Sequence, residues 1–197
     1  MNNLHLFQLI NAPPGIGHLQ LAAATLLARW MIFLIPLTMV LAWVRGDDVA
    51  RRELLQIGLA VAIALGMAQI VTHVWPQPRP FVMHIGTQYL AHDTDPGLPS
   101  DHVTVFWSVA FAALASRKFA LWGFPLLALG LLAGWSRVYL GVHFPFDVLA
   151  ALPVALAGTA VAIALRMPLL PVLGRILSLY DRFANLLRTK LHSSRKT

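Results

Sequence analysis

Five apolar runs separated by short polar connections dominate the chain, at 21–44, 54–75, 103–115, 119–135 and 146–165. Each is nearly free of charge. A helix that crosses the hydrocarbon core of a bilayer needs about 20 apolar residues, with a range of about 17–25. The first, second and fifth runs meet that length and the fourth barely does. The third reaches it by borrowing 100–102 at one end and Ser116 at the other. The pattern predicts an all-α integral membrane protein, a bundle of about five transmembrane helices.

Two weaker patterns flank the bundle. Leu4, Phe7 and Ile10 make a short amphipathic stretch before the helix-breaking Pro13-Pro14, which reads as an interfacial helix lying on the membrane and not as a cleaved signal peptide. After 166, the residues Val172, Ile176, Tyr180, Phe183, Leu187 and Leu191 recur every three or four positions, with arginines on other faces. That spacing predicts a basic amphipathic helix on an anionic leaflet, with 193–197 as a frayed end. The expected organisation is one membrane-embedded domain over 1–197: an interfacial segment at 1–20, a transmembrane core at 21–166 and a tail at 167–197.

Composition supports the membrane reading and charge orients it. Of 197 residues, 58% are hydrophobic and 12% charged, with a mean hydropathy of +0.69; a soluble domain carries roughly twice that charged fraction. The net charge of +7 is uneven. Arg45, Arg51, Arg52, Arg117 and Lys118 flank alternate connections, and Arg166, Arg175, Arg182, Arg188, Lys190, Arg195 and Lys196 fill the tail. The other connections hold Arg79 and Arg137. Basic flanks stay in the cytoplasm, so the N-terminus is expected outside and the C-terminus inside. The positive charge marks membrane lipids, not nucleic acid, as the partner. The chain has no cysteine, which excludes disulfides and thiolate metal sites.

The connections expected outside carry the unusual chemistry. They hold WPQPRPF at 75–81, GLPSDH at 97–102 and GWSRVYLGVHFPFD at 134–147. Alone, each has a plain structural reading. An Arg-Pro pair suits a loop; Ser100 suits a helix N-cap with Asp101 in its first turn; His143 and Asp147, four apart at a helix start, suit a local pair. Together they describe a phosphate site. Arg79 and Arg137 offer planar forks for phosphate oxygens. Ser100 and the amides opening the third helix add donors where the helix dipole favours an anion. His143 can attack phosphorus through one ring nitrogen while Asp147 holds the other, and His102 can protonate the leaving oxygen. No carboxylate cluster suited to magnesium accompanies them, so neither a metal nor a cofactor is expected.

These residues, in this order, resemble the type 2 phosphatidic acid phosphatase superfamily. Its third motif is complete in Ser136, Arg137, His143 and Asp147; the second keeps Pro99, Ser100 and His102; the first keeps Arg79 and Pro80. Two positions depart from it: Thr72 stands where the family has a phosphate-binding lysine, and Asp101 where it has glycine. His73, beside Thr72, and Arg29, in the outer half of the first span, are candidate substitutes for the lysine, each with a plain interfacial reading. Asp101 is expected to stabilise the helix start.

The segment LFQLINAPPG, the PSDH variant and SRVYLGVHFPFD resemble the bacterial undecaprenyl-diphosphatase branch. That resemblance implies dephosphorylation of the lipid undecaprenyl diphosphate on the periplasmic side of the inner membrane, through a phosphohistidine on His143, with a bacitracin phenotype. Trp75, Trp107, Trp135 and Tyr139 are expected to form an interfacial belt around the site. The competing readings are a phosphatidylglycerol phosphate or phosphatidic acid phosphatase, a lipid A phosphotransferase and, outside this chemistry, a small transporter or membrane scaffold. A soluble vanadium haloperoxidase shares the motifs, but five spans and the missing lysine oppose it.

Overall fold

Asn2 opens the first helix, α1 (Asn3–Ile10), by accepting the His5 N–H at 2.9 Å in the computed structural model, which describes residues 2–193. Then follow α2 (His18–Arg45), α3 (Asp48–Val74), α4 (Asp101–Leu114), α5 (Ala120–Tyr139), α6 (Pro145–Ala164) and α7 (Arg166–Ser193). Of the expected frayed end at 193–197, Ser193 closes α7 and 194–197 lie outside the described residues, as do the side chains of Leu187 and Leu191. Among the described residues, four helices, α2, α3, α5 and α6, are long and apolar enough to cross a bilayer.

The shortness of α4 follows from its place. It packs against α3, α5 and α6, and Val103, Phe106, Val109, Ala110 and Ala113 are all buried along it. A helix surrounded by others owes no lipid-facing length to the membrane, so its 14 residues suffice. Of the residues it was expected to borrow, Asp101 and His102 are helical, whereas Ser100 caps it and Ser116 lies beyond its end.

Small residues set the distances between helices. Ala60, Ala64 and Ala68 of α3 are fully buried, and a Cβ added to Gly158 of α6 would lie 2.6–2.7 Å from Ala64 atoms, backbone included. In lipid, where apolar burial does not drive helices together, such close approach is the main source of packing energy. Gly158→Val is therefore expected to destabilise the bundle by roughly 1–3 kcal/mol, read as a lower Tm in detergent. An unchanged Tm would mean that α3 and α6 are not held by this contact.

Helix α2 is irregular. Its turn at Leu26–Trp30 is widened, with the Met31 N–H reaching Leu26 O, and Met31–Phe33 is tightened to 3-10 geometry. Pro36 has no N–H for the Ile32 carbonyl and crowds it, which accounts for the tight turn.

The ends of the bundle differ in charge. At one, Asp47 caps α3 and pairs with Lys118 at 2.8 Å, while buried Glu53 accepts the N–H groups of Arg117 and Lys118 at 3.0 and 2.9 Å. There α7 returns against the bundle: Leu173 and Leu177 are buried, and Tyr180 meets Trp43 edge-on at 5.3 Å and lies under Arg51. The tail thus docks on protein as well as presenting a basic face. At the other end, α1 packs one face on the bundle. Phe7 is fully buried against Phe144 at 5.2 Å, and Asn11 clamps two chain segments through Thr87 and the Tyr139 carbonyl. Leu4 and Leu9 of the same helix stay exposed.

Candidate active site

The termination of α5 places the central histidine. The Gly141 N–H bonds to Val138 O and the Val142 N–H to Arg137 O, both at 3.0 Å, a C-terminal motif that needs a left-handed residue. Gly141 supplies it at φ +80°, and a Cβ there would lie 2.2 Å from Thr87 O. Two residues later comes His143. Phe144 then caps α6 and Pro145 takes its first turn, where a missing N–H costs nothing. Asp147, three residues after the cap, accepts the Phe144 N–H at 2.8 Å and faces His143 Nδ1 at 3.3 Å through the same oxygen, Oδ2. Both side chains are buried. With Nδ1 on a carboxylate, Nε2 carries the lone pair of the ring.

The long connection 75–100 folds back onto that pair. Arg79 is 4% exposed. Its Nη1 lies 2.9 Å from His143 Nε2 and donates to Val142 O at 3.1 Å, while Nε and Nη2 hold Asp95 O and Asp95 Oδ2 at 2.8 and 3.1 Å. Gly97 lies flat against the cluster. A Cβ there would meet Asp147 Oδ2 at 3.0 Å and Arg79 Cγ at 3.2 Å.

Arg137 enters from the last turn of α5. Its Nη1 donates to Ala28 O at 3.1 Å, in the widened turn of α2, and its Nη2 lies 2.9 Å from His92 Nε2. Its Nε and the Ser100 hydroxyl are buried without a hydrogen-bond partner among the described residues. Ser100 occupies the N-cap position but makes no side-chain cap, contrary to the plain reading; its backbone N–H instead bonds to Asp147 O at 3.0 Å, tying α4 to α6. His102, half-buried in the first turn of α4, has Arg137, His92 and Arg79 within electrostatic reach. Two unpartnered donors, two guanidinium groups and a buried imidazole therefore converge where a phosphate would need them.

Other candidates fall outside this cluster. Ser136 turns its hydroxyl to Ala133 O at 2.7 Å within its own helix. Arg29 is exposed and lies over the Trp30 ring at 5.4 Å, and His73 is exposed at the end of α3. Thr72 bonds to Leu98 O at 2.8 Å, so the position of the family lysine serves the loop. Asp101 is exposed and accepts from Gln69 at 3.4 Å, while its charge still reaches Arg79 and Arg137. Trp107 leaves the expected belt: it is 7% exposed, donates to Leu127 O at 3.2 Å and packs over Gly130. Trp75 and Trp135 are exposed, with Trp135 stacked on Tyr139 at 4.9 Å. Sequence reasoning missed His92 and the Ala28 carbonyl. A histidine in a long polar loop was the one available signal for the first; a backbone acceptor leaves none.

Burial, then Arg137 and Arg79, hold His143 well below its ordinary value of 6.5, and burial with Arg79 lowers His92 too. Both are neutral at neutral pH, which suits a nucleophile. The unfolded chain takes up these protons as pH falls through about 6.5 and the folded one resists, so stability is full above 6.5 and declines below it. The Tm in detergent is expected to fall between pH 7 and pH 5, and the fall to shrink in His92→Gln. A flat profile would place the rings in a wetter setting.

Known proteins share this architecture. The chain is 39% identical over 157 residues to YbjG of Escherichia coli (strain K12), provisionally named an undecaprenyl-diphosphatase, covering 79% of this chain and 78% of that one. It is 29% identical over 188 residues to the undecaprenyl-diphosphatase BcrC of Bacillus subtilis (strain 168), covering 93% and 96%. The crystal structure of LpxE from Aquifex aeolicus superposes with a TM-score of 0.66 at 21% identity, over 82% of this chain and 94% of that one, which marks a shared fold. The PAP2 superfamily profile matches residues 53–169, the stretch that carries Arg79, Ser100, His102, Arg137, His143 and Asp147, and the chain belongs to that superfamily.

Proposed function

We propose that this protein is a lipid phosphatase that converts undecaprenyl diphosphate to undecaprenyl phosphate at the outer face of a bacterial inner membrane. The observation that carries the reading is the buried His143, with Nδ1 on Asp147 and Nε2 facing Arg79, beside the unpartnered Arg137 Nε and Ser100 Oγ. The names of the YbjG and BcrC relatives support the substrate. So does an apolar groove of about 580 Å³ between α2, α4 and α5. It begins at Met31, one turn below the carbonyl that Arg137 holds, and runs along Ile35, Phe106 and Leu129 as a path for a prenyl chain.

In this mechanism the two arginines and Ser100 hold the outer phosphate. The Nε2 lone pair of His143 attacks its phosphorus, and the bond to the bridging oxygen breaks. His102 gives that oxygen its proton, releasing undecaprenyl phosphate. Water then attacks the phosphohistidine and loses a proton to His102; the P–N bond breaks, freeing inorganic phosphate and restoring His143. Asp147 fixes the tautomer and steadies the charge on His143. No step calls for a metal ion.

The basic end, with Arg45, Arg51, Arg52, Arg117 and Lys118, is assigned to the cytoplasm and the site to the periplasm. Because the chain has no cysteine, a single Thr94→Cys substitution tests this: an impermeant maleimide is expected to label it from the periplasm.

The deciding assay measures phosphate release by purified protein from undecaprenyl diphosphate, phosphatidylglycerol phosphate and phosphatidic acid, with excess chelator and with lipid A as a possible acceptor. Preference for the first, with phosphate passing to water, is expected. Faster turnover of a glycerophospholipid, or transfer to lipid A, selects another member of the superfamily. Activity lost to chelation removes the metal-free route, and no release from any lipid leaves a transporter or scaffold.

A further inference from the structure

The first motif lacks its lysine, yet the site gains a side chain from the far end of the long connection. Two residues stood as substitutes by sequence, and neither reaches the cluster: His73 is exposed, and Arg29 lies exposed over Trp30, while Thr72 at the lysine position itself is bonded to Leu98 O. His92 does reach it. Its side chain is 23% exposed, its Nε2 is 2.9 Å from Arg137 Nη2, and its ring meets that of His143 edge-on with centroids 6.3 Å apart.

The surroundings of the ring assign its protons. Nδ1 is flanked by oxygens, Asp93 O at 3.2 Å and Asp95 Oδ1 at 3.5 Å, so it carries hydrogen. Nε2 accepts from Arg137, and it is the atom that would take a second proton. The charged and titratable groups facing the ring are Arg79, Arg137, His102, His143 and Asp95. The cations oppose protonation and Asp95 favours it. A phosphate oxygen arriving between Arg137 and His92 reverses that balance. It draws Arg137 Nη2 to itself and gives a protonated Nε2 something to donate to, while Asp95 backs the ring as Asp147 backs His143. Asp95 joins the two basic groups in this exchange: its side chain is 53% exposed, and it shares its other oxygen with Arg79.

We propose that His92 replaces the lysine of the first motif, binding the outer phosphate of the diphosphate as an imidazolium through Nε2. The proposal rests on the phosphatase reading above and adds to it the third cation of the site. It makes His92 a substrate-binding residue, whose loss weakens binding more than it slows chemistry.

Two substitutions separate charge from hydrogen bonding. His92→Lys can carry the charge but cannot accept from Arg137; His92→Gln can accept but cannot become a cation. Each variant is assayed for kcat and KM on undecaprenyl diphosphate and on phosphatidic acid, and for inhibition by inorganic pyrophosphate. In His92→Gln, KM for the diphosphate and the pyrophosphate inhibition constant are expected to rise roughly ten- to a hundredfold, the loss of one charge-assisted hydrogen bond, with kcat nearly unchanged and the monophosphate less affected. His92→Lys is expected to stay near wild type and to lose the alkaline rise in KM that an imidazolium imposes. Wild-type behaviour of His92→Gln with impairment of His92→Lys would overturn the proposal, showing that His92 merely anchors the loop on Arg137. Equal loss in both, or in neither, overturns it as well. Pyrophosphate inhibition is read on whichever phosphate ester the protein turns over, so failure of undecaprenyl diphosphate as substrate is a separate result.

Discussion

His143→Ala is expected to abolish phosphate release, lowering kcat on the order of 10⁴-fold or more, with the bundle still folded. Loss of a nucleophile that acts through a covalent intermediate leaves only positioning and charge neutralisation, and among the described residues no other ring is hydrogen-bonded to Arg79 Nη1. Asp147→Asn should cost less, because Nε2 survives while its tautomer is no longer enforced; about 10²–10⁴-fold is the expected range. The two losses should not add, since Asp147 works through His143. Folding is checked by Tm in detergent. His143 and Asp147 also anchor Arg79 and the Phe144 N–H, so His143→Gln, which keeps a polar group near Arg79, serves as the second variant. A folded His143→Gln or His143→Ala that retains more than about one hundredth of the wild-type rate would remove His143 from the nucleophile's role.

How much of this was legible follows from which signals are written in side chains. Apolar runs announced α3, α5 and α6 because each has a lipid-facing side that must stay apolar over the whole membrane thickness. The short third run was legible too, but its reason was not: α4 is enclosed by three neighbours, a fact of packing and not of local sequence. The same enclosure undid the belt assignment of Trp107, which was made on residue type without knowing which faces of α4 meet lipid. Nothing in the sequence signalled that Phe7 packs against Phe144. The motif residues Arg79, Ser100, His102, Arg137, His143 and Asp147 do gather at one end of the bundle. Their supports were less visible. Gly97 and Gly141 act by having no Cβ, Ala28 through its carbonyl, and His92 through a loop with no periodicity to read.

Arg137→Lys is expected to lower kcat/KM by roughly 10²–10³-fold, as for removal of a preorganised donor from a transition-state oxyanion. The guanidinium does several things at once. Nη1 ties the widened turn of α2 through Ala28 O at 3.1 Å, Nη2 meets His92 at 2.9 Å, and Nε stands unpartnered. A lysine ammonium at the end of a flexible stem can serve the Ala28 carbonyl or a phosphate oxygen, but not both in the fork geometry. Serving the phosphate leaves a buried carbonyl unpaired, at a cost of about 1–3 kcal/mol. Serving the carbonyl leaves Arg79 as the phosphate's one guanidinium. Activity should therefore fall even though the formal charge is kept, and Tm should fall with it. Arg29→Ala, next to Ala28 in the chain, is the matching control. Arg29 lies over Trp30 and outside the cluster, so its loss should leave turnover of diphosphate and monophosphate lipids alike. If Arg137→Lys works at the wild-type rate while Arg29→Ala does not, the phosphate is held from α2, and the widened turn exists to present Arg29 rather than to free a carbonyl for Arg137.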